Sequence, residues 1–257
     1  MDRLIVQTRF GPLPLVGRLH SDKARPCLLV IGGAFPPPDF MHEVVDRYPW
    51  ASVLVGSLPG MRAPSFDRQD VSDFAGAYDE ALGLLAPSQP VVTCGVSTGC
   101  LVTLGLRSPN IYRHLLQEPF FSTADLWPFI PYARDLLARN ADNAVLKAFL
   151  WDVCGVAPDA IVNRDYWPLL EGLRVPADVI IGEMPLLPQR ELPTWPSFTT
   201  EADRVRLRDA PLVTLHLGPP GSGHNLTLHR ASEALIGEVT QAALNEGRSM
   251  AGGRVDP

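Results

Sequence analysis

Between Pro90 and Leu106 the chain reads Pro-Val-Val-Thr-Cys-Gly-Val-Ser-Thr-Gly-Cys-Leu-Val-Thr-Leu-Gly-Leu, and its centre holds a residue able to do chemistry. Val91-Val92-Thr93 is a β-branched run that favours a strand, and apolar residues at 101, 102, 104 and 106 favour a following helix. Gly95-Val96-Ser97-Thr98-Gly99 sits at the junction. A strand-to-helix turn this sharp needs small residues on both sides of the serine. It exposes the Ser97 hydroxyl and sets the Thr98 N–H at a helix start, where backbone donors carry partial positive charge. At ordinary Gly usage the pentapeptide alone is common by chance, so its weight depends on what the rest of the chain brings to the same place.

The elements that would position it follow from periodicity. Residues 3–20 read as two strands joined through Gly11-Pro12. Cys27–Ile31 and Ala51–Gly56 are apolar runs of strand length, suited to a sheet covered on both faces. Phe40 to Tyr48 reads as a helix, as does Asp70–Leu85, with apolar positions 71, 74, 78, 81, 82 and 85 on one face. Tyr112–Glu118 is the next strand. Strands alternating with helices predict a mostly parallel sheet with helices on both faces. The rhythm breaks near residue 122. Helices are expected at Ala133–Arg139, Ala144–Cys154 and Asp159–Leu173, in a region carrying Trp127, Phe129, Tyr132, Phe149, Trp151, Tyr166 and Trp167. Strands return at Ala177–Gly182 and Pro211–Leu217, separated by a proline-rich excursion from Met184 to Ser197. A closing helix is expected from about Leu228 to Leu244, and the tail 247–257 is expected to be disordered.

Composition narrows the function classes. With 257 residues, 46% hydrophobic and 19% charged, the chain can bury a sizeable core. No apolar run is long enough for a membrane span. The N-terminus Met-Asp-Arg-Leu-Ile-Val lacks the features of a secretory signal. Cys27, Cys94, Cys100 and Cys154 lack metal-ligand spacing, and Cys27 and Cys94, inside apparent core strands, are expected as buried thiols, which points to a reducing, cytoplasmic setting. A net charge of −6 with no basic cluster argues against a nucleic-acid partner. The scattered histidines imply no metal site, and no cofactor is expected. The partner is a small molecule, and a homodimer is left open.

Ligands of open α/β sheets collect at the carboxyl ends of the strands. Four features fall there: Gly32-Gly33-Ala34, Ser97, Glu118, and the loop Gly218-Pro-Pro-Gly-Ser-Gly-His224-Asn225. On these motifs the chain resembles the α/β-hydrolase superfamily over nearly its whole length, in a capped esterase- or thioesterase-like branch. The resemblance covers the small-residue loop after the third strand, Gly-Val-Ser-Thr-Gly after the fifth, a helical insertion after the sixth, and Gly223-His224-Asn225 before the last helix. It implies an α/β-hydrolase fold with a core of 1–121 and 173–246 and a helical cap of 122–172.

The resemblance also implies roles. Ser97 would be the nucleophile and His224 the base that takes its proton and returns it to the leaving group. His216, inside a strand, and His229, on the next helix, are read as structural. Many relatives place an aspartate after the strand equivalent to Val179–Gly182, but this chain reads Gly182-Glu183-Met184-Pro185. Either Glu183 serves or the acid lies after the sixth strand, where Glu118 stands, and Glu118 is the favoured reading. The oxyanion donors would be the N–H groups of Thr98 and of the Gly32-Gly33-Ala34-Phe35 loop, with Ala34 preferred. The aromatic insertion would cover Ser97 with an apolar pocket for a hydrophobic acyl substrate.

Three functions compete. The leading one is hydrolysis of an ester or thioester through an acyl-enzyme. Acyl transfer or cyclisation in a biosynthetic pathway is the second, and a non-catalytic scaffold that binds a ligand or protein is the third.

Overall fold

The structure, a computed structural model, describes residues 2–34, 40–61, 64–191, 194–226 and 230–252, with only the backbone described at 40–42 and 251–252. Eight strands form one sheet in the order β1-β2-β4-β3-β5-β6-β7-β8. β1 (Asp2–Thr8) and β2 (Gly11–Arg18) make the expected hairpin. The turn itself is Arg9-Phe10, and Gly11, expected in the turn, begins β2 at φ 132° opposite Thr8. The Thr8 hydroxyl binds across it, donating to the Gly11 carbonyl at 2.7 Å.

The parallel part begins with β3 (Cys27–Ile31) and β4 (Ser52–Gly56), both buried along their whole length. α1 (Phe40–Arg47) connects them. α2 (Val71–Leu85) follows, capped by the Asp70 carboxylate, which accepts the Asp73 N–H. Its buried face includes Val71, Phe74, Tyr78, Ala81 and Leu82, as the periodicity requires. β5 (Val91–Val96) pairs with β3 on the side opposite β4. The chain therefore reverses its winding between β3 and β5. A crevice opens at such a switch point, outside the carboxyl ends of the two strands. α3 (Thr98–Gly105) and β6 (Ile111–Gln117) complete the unit around Ser97.

Residues 122–172 hold α4 (Phe129–Arg139), α5 (Ala144–Asp152) and α6 (Trp167–Glu171). The helix expected over Asp159–Leu173 is reduced to α6. Pro168 lacks an N–H and fits only the first turn of a helix, so a helix containing it must begin beside it. The preceding residues are held by other bonds: Val156 bridges Ile161, Ser122 bridges Asp165, and the Asn163 side-chain oxygen accepts the N–H groups of Thr123 and Ala124, each at 3.0 Å.

β7 (Ala177–Ile181) and β8 (Val213–Leu217) extend the parallel sheet. Between them lies α7 (Glu201–Asp209), where no helix was expected. Thr200 and Asp203 close a reciprocal capping box at its start. The last helix, α8 (Arg230–Gly252), runs past the expected end at Leu244 and through the first six residues of the stretch expected to be a disordered tail. His229 and Leu228 lie outside the described residues, as does Phe35. Apolar clusters cover both faces: Phe74, Tyr78, Leu101 and Phe149 on one, and Val45, Tyr48, Ala243 and Leu244 on the other.

All four cysteines are buried and unpaired. Burial pushes the thiols of Cys27, Cys94 and Cys154 up to about 12.

Candidate active site

Ser97 caps α3 with φ 53° and ψ −120°, a left-handed conformation rare for a residue with a side chain. The surrounding glycines explain why the chain can take it. A methyl group on Gly95 would fall 2.5 Å from the Cys100 Cα, and one on Gly99 would collide with the Ile31 carbonyl. The turn is thus closed on both sides by backbone. Its own N–H donates to the Gln117 carbonyl at 2.8 Å, tying it to β6.

Glu118 follows β6 directly and is 2% exposed. Its φ of 54° makes it, with Ser97, one of two non-glycine residues at positive φ among those described. Strain of this kind persists where the surrounding structure over-determines it, and it clusters at functional sites. Three groups fix the carboxylate. Oε1 accepts the Gly182 N–H, while Oε2 accepts the Phe198 N–H at 3.3 Å and faces His224 Nδ1 at 3.2 Å. The other imidazole nitrogen, Nε2, lies 3.1 Å from Ser97 Oγ. With Nδ1–H donated to the carboxylate, Nε2 presents its lone pair to the serine hydroxyl.

The histidine ring is held from behind. It stacks on Phe198 with centroids 3.7 Å apart and 19° between the planes. The backbone N–H of His224 donates to the Trp195 carbonyl at 3.0 Å. That contact needs Gly223, because a side chain there would collide with the same carbonyl.

Glu183, the other carboxylate considered, is exposed, and its Oε2 accepts the Gly221 N–H at 3.1 Å. The described imidazole contact goes to Glu118 instead. His216 serves elsewhere, with Nε2 2.8 Å from Asp178 Oδ1 on β7. Ala34 and Thr98 both line the space in front of Ser97. Thr98 is the first residue of α3, and the first N–H groups of a helix have no intrahelical partner. Gly33 brings the other loop close: a methyl there would stand 3.2 Å from Ser97 Cβ.

Ser97, His224 and Glu118 open into a cavity of about 380 Å³. Phe129 and Tyr132 from α4 line it together with Trp195 and Phe198. The last two were not anticipated as site residues. They come from an irregular segment with no periodicity to read, and the only hint was a tryptophan between prolines in a long loop, a type of segment that often carries function. Rings run in contact from the imidazole outward: Phe198 to Trp195 at 5.8 Å, then Trp195 to Tyr132 at 5.5 Å. No group of three or more His, Cys, Asp or Glu able to hold a metal occurs among the described residues, and no described helix is long and apolar enough to cross a membrane.

No protein-family model matches the chain, and no curated protein matches its sequence. Solved structures do match its shape. A thermophilic esterase from Thermogutta terrifontis is 14% identical with a TM-score of 0.63, the match covering 96% of this chain and 100% of the esterase. A carboxylesterase from Bacillus subtilis is 13% identical with a TM-score of 0.62, covering 94% and 90%. The thioesterase domain from the curacin biosynthetic pathway is 16% identical with a TM-score of 0.56, covering 91% and 97%. At such identities the likeness speaks for architecture alone, and it agrees with the eight-stranded, mostly parallel sheet and its covering helices: the chain has the α/β-hydrolase fold.

Proposed function

We propose that the chain is a serine hydrolase that cleaves an ester or thioester of a small hydrophobic acyl group through an acyl-enzyme. The observation that carries this reading is the unbroken relay from Ser97 Oγ through His224 to the buried Glu118, with its serine end opening into an apolar cavity. Such a relay supplies what an unassisted serine hydroxyl lacks.

In the first step Ser97 Oγ bonds to the carbonyl carbon while His224 Nε2 takes its proton. Glu118 stabilises the imidazolium that forms. The negative charge on the carbonyl oxygen is met by the N–H groups of Thr98 and Ala34. Each such donor contributes on the order of 3 kcal/mol to the barrier reduction. The carbon–oxygen or carbon–sulfur bond then breaks, and the imidazolium protonates the departing alcohol or thiol. Water attacks the acyl-enzyme, gives its proton to His224, and releases the acid with Ser97 restored.

The size and lining of the cavity support the substrate class. Its volume of about 380 Å³ is near the lower end of the ~300–1,000 Å³ range of small-molecule sites. Its walls are mainly aromatic and aliphatic, so an uncharged, compact acyl group is favoured. In this reading residues 122–172 act as a cap over the core, contributing Phe129 and Tyr132 to the cavity. The similarity to a thioesterase domain keeps acyl transfer as a second outcome, in which an alcohol or amine replaces water in the last step.

The test is labelling with a fluorophosphonate probe, followed by a panel of p-nitrophenyl esters and acyl thioesters. Wild type should label and turn over, and Ser97→Ala should do neither. Labelling that survives in Ser97→Ala would remove the serine from the mechanism, and an unlabelled wild type would leave a ligand-binding scaffold.

A further inference from the structure

Arg204, on α7, is 3% exposed and is not among the residues lining the cavity. One guanidinium nitrogen donates to the Gly182 carbonyl at 2.8 Å. The other donates to the Glu183 carbonyl at 2.8 Å and to Glu201 Oε1 at 3.0 Å. Its Nε–H has no partner among the described residues. A guanidinium is seldom buried so completely, and leaving one of its donors unmet costs free energy. Burial pushes its pKa below the ordinary value, against the opposing pull of Glu201, Glu118 and Glu183. Such a costly group calls for a reason.

The reason lies one peptide away. Gly182, whose carbonyl Arg204 holds, is the residue whose N–H donates to Glu118 Oε1. The planar fork pins two successive carbonyls, 182 and 183, at the exit of β7. The Gly182 N–H that Glu118 accepts belongs to the adjoining peptide. The position is also tight: a side chain on Gly182 would stand 2.7 Å from Gly223 Cα, beside the histidine. The β7 exit, which carries no aspartate, is thus occupied with holding the carboxylate of the neighbouring strand.

We infer that Arg204 is a positioning residue for the relay, orienting Glu118, and through it His224, by clamping the backbone at the end of β7. This rests on the proposed acyl-enzyme reading for its kinetic consequences, but not for its structural ones.

The experiment compares wild type, Arg204→Met, Arg204→Lys, Glu118→Gln and the double variant Arg204→Met/Glu118→Gln. Three quantities are measured: kcat and KM on the best ester of the panel, the rate of fluorophosphonate labelling, and the low-field proton resonance of His224 Nδ1–H. Arg204→Met should lower kcat and labelling by up to about 100-fold, the size of effect expected of a displaced catalytic group, with KM little changed. The low-field resonance should vanish in Arg204→Met and persist in Arg204→Lys, which should recover part of kcat. In the Glu118→Gln background, removing Arg204 should cost nothing further, because the group it orients is already disabled.

An equal loss in both backgrounds would overturn the assignment, as would an Arg204→Met variant that keeps both the resonance and full kcat. Should Arg204→Met fail to fold, Arg204→Lys alone and combined with Glu118→Gln gives the kinetic comparison: a partial loss of kcat that disappears in the Glu118→Gln background supports the assignment, and an equal loss in both overturns it. If wild type does not react with the probe, the hydrolase reading falls while the resonance still decides the role of Arg204.

Discussion

The two sides of the cavity are built by different means. Ser97 and Glu118 sit on the ends of β5 and β6, each at positive φ, each locked by backbone hydrogen bonds to the next strand: Ser97 N–H to Gln117, Glu118 N–H to Ile180. Moving the backbone on this side would break these inter-strand hydrogen bonds. The opposite wall, Phe198, Trp195 and Tyr132, is assembled largely from ring contacts on an irregular segment held by scattered hydrogen bonds, among them the Trp127 Nε1–H donating to the Leu186 carbonyl at 2.8 Å. Side-chain contacts can be rearranged at modest cost, whereas a strained strand end cannot. In the proposed hydrolase this difference would divide the labour: the strand ends would determine what reaction occurs, and the ring wall which acyl group meets it.

The largest effects should come from the strand ends. Ser97→Ala should lower kcat by roughly 10⁶-fold and Glu118→Gln by about 10⁴-fold, the scale found when members of comparable relays are removed. Steady-state kinetics on one ester would measure both, with KM nearly constant. A Glu118→Gln variant within tenfold of wild type would mean that the carboxylate does not orient His224.

Trp195→Ala should behave in the opposite way. Removing one large contact from an apolar pocket changes kcat/KM by roughly 10- to 200-fold. Because Trp195 stands away from Ser97, the change should depend on acyl size, with bulkier acyl groups losing least. The ratio of kcat/KM for a bulky and a small ester, before and after substitution, reads this directly. A uniform loss across all esters would place Trp195 with the strand ends, acting through its carbonyl on His224, and would break the division.

Beneath the strand ends lies a second histidine with a different use. His114 on β6 is 4% exposed, and its Nδ1 lies 2.6 Å from the Thr93 hydroxyl. Burial, with Arg107 nearby, lowers its pKa from 6.5 to about 4. The unfolded chain then binds a proton more readily than the folded one between these values. The stability contributed by the neutral imidazole is therefore complete above about pH 6.5 and is lost as pH falls toward 4. Urea midpoints at pH 7.5 and 5 should differ by more in wild type than in His114→Gln. Equal differences would show that His114 does not carry the acid sensitivity.

How much of this was written in the chain follows the same division. Ser97 and His224 stand out as candidates because short-range steric demands leave a trace, Gly95 and Gly99 around the serine and Gly223 beside the histidine, whereas Glu118 is favoured over Glu183 only through the family resemblance. The ring wall left almost none. Trp195 reaches the site from a segment without period, and its partners are decided by how distant pieces pack. α7 was missed although Thr200 and Asp203 form a capping box, because Arg204, Arg206 and Arg208 among its residues leave no apolar stripe. The expected helix over 159–173 failed for the converse reason, its apolar residues outweighing the plain veto of Pro168.

The smallest expected effect tests whether the wall is as adaptable as its construction implies. Trp127→Phe keeps an aromatic ring, though a smaller one, and removes the donor to Leu186. A net loss of about 1 kcal/mol in stability is expected for one such hydrogen bond. Activity on a small ester should stay near wild type, since Trp127 contacts neither Ser97 nor His224 among the described bonds. Activity on the bulkiest ester accepted should change more, because the segment carrying Trp195 and Phe198 has lost its hydrogen bond to Trp127. Phe198 complicates this outcome in a useful way, being both a wall ring and, through its N–H, a ligand of Glu118. If losing the Trp127 hydrogen bond lowers kcat for all esters alike, the strain passes through Phe198 into the relay, and the two sides of the cavity are mechanically one.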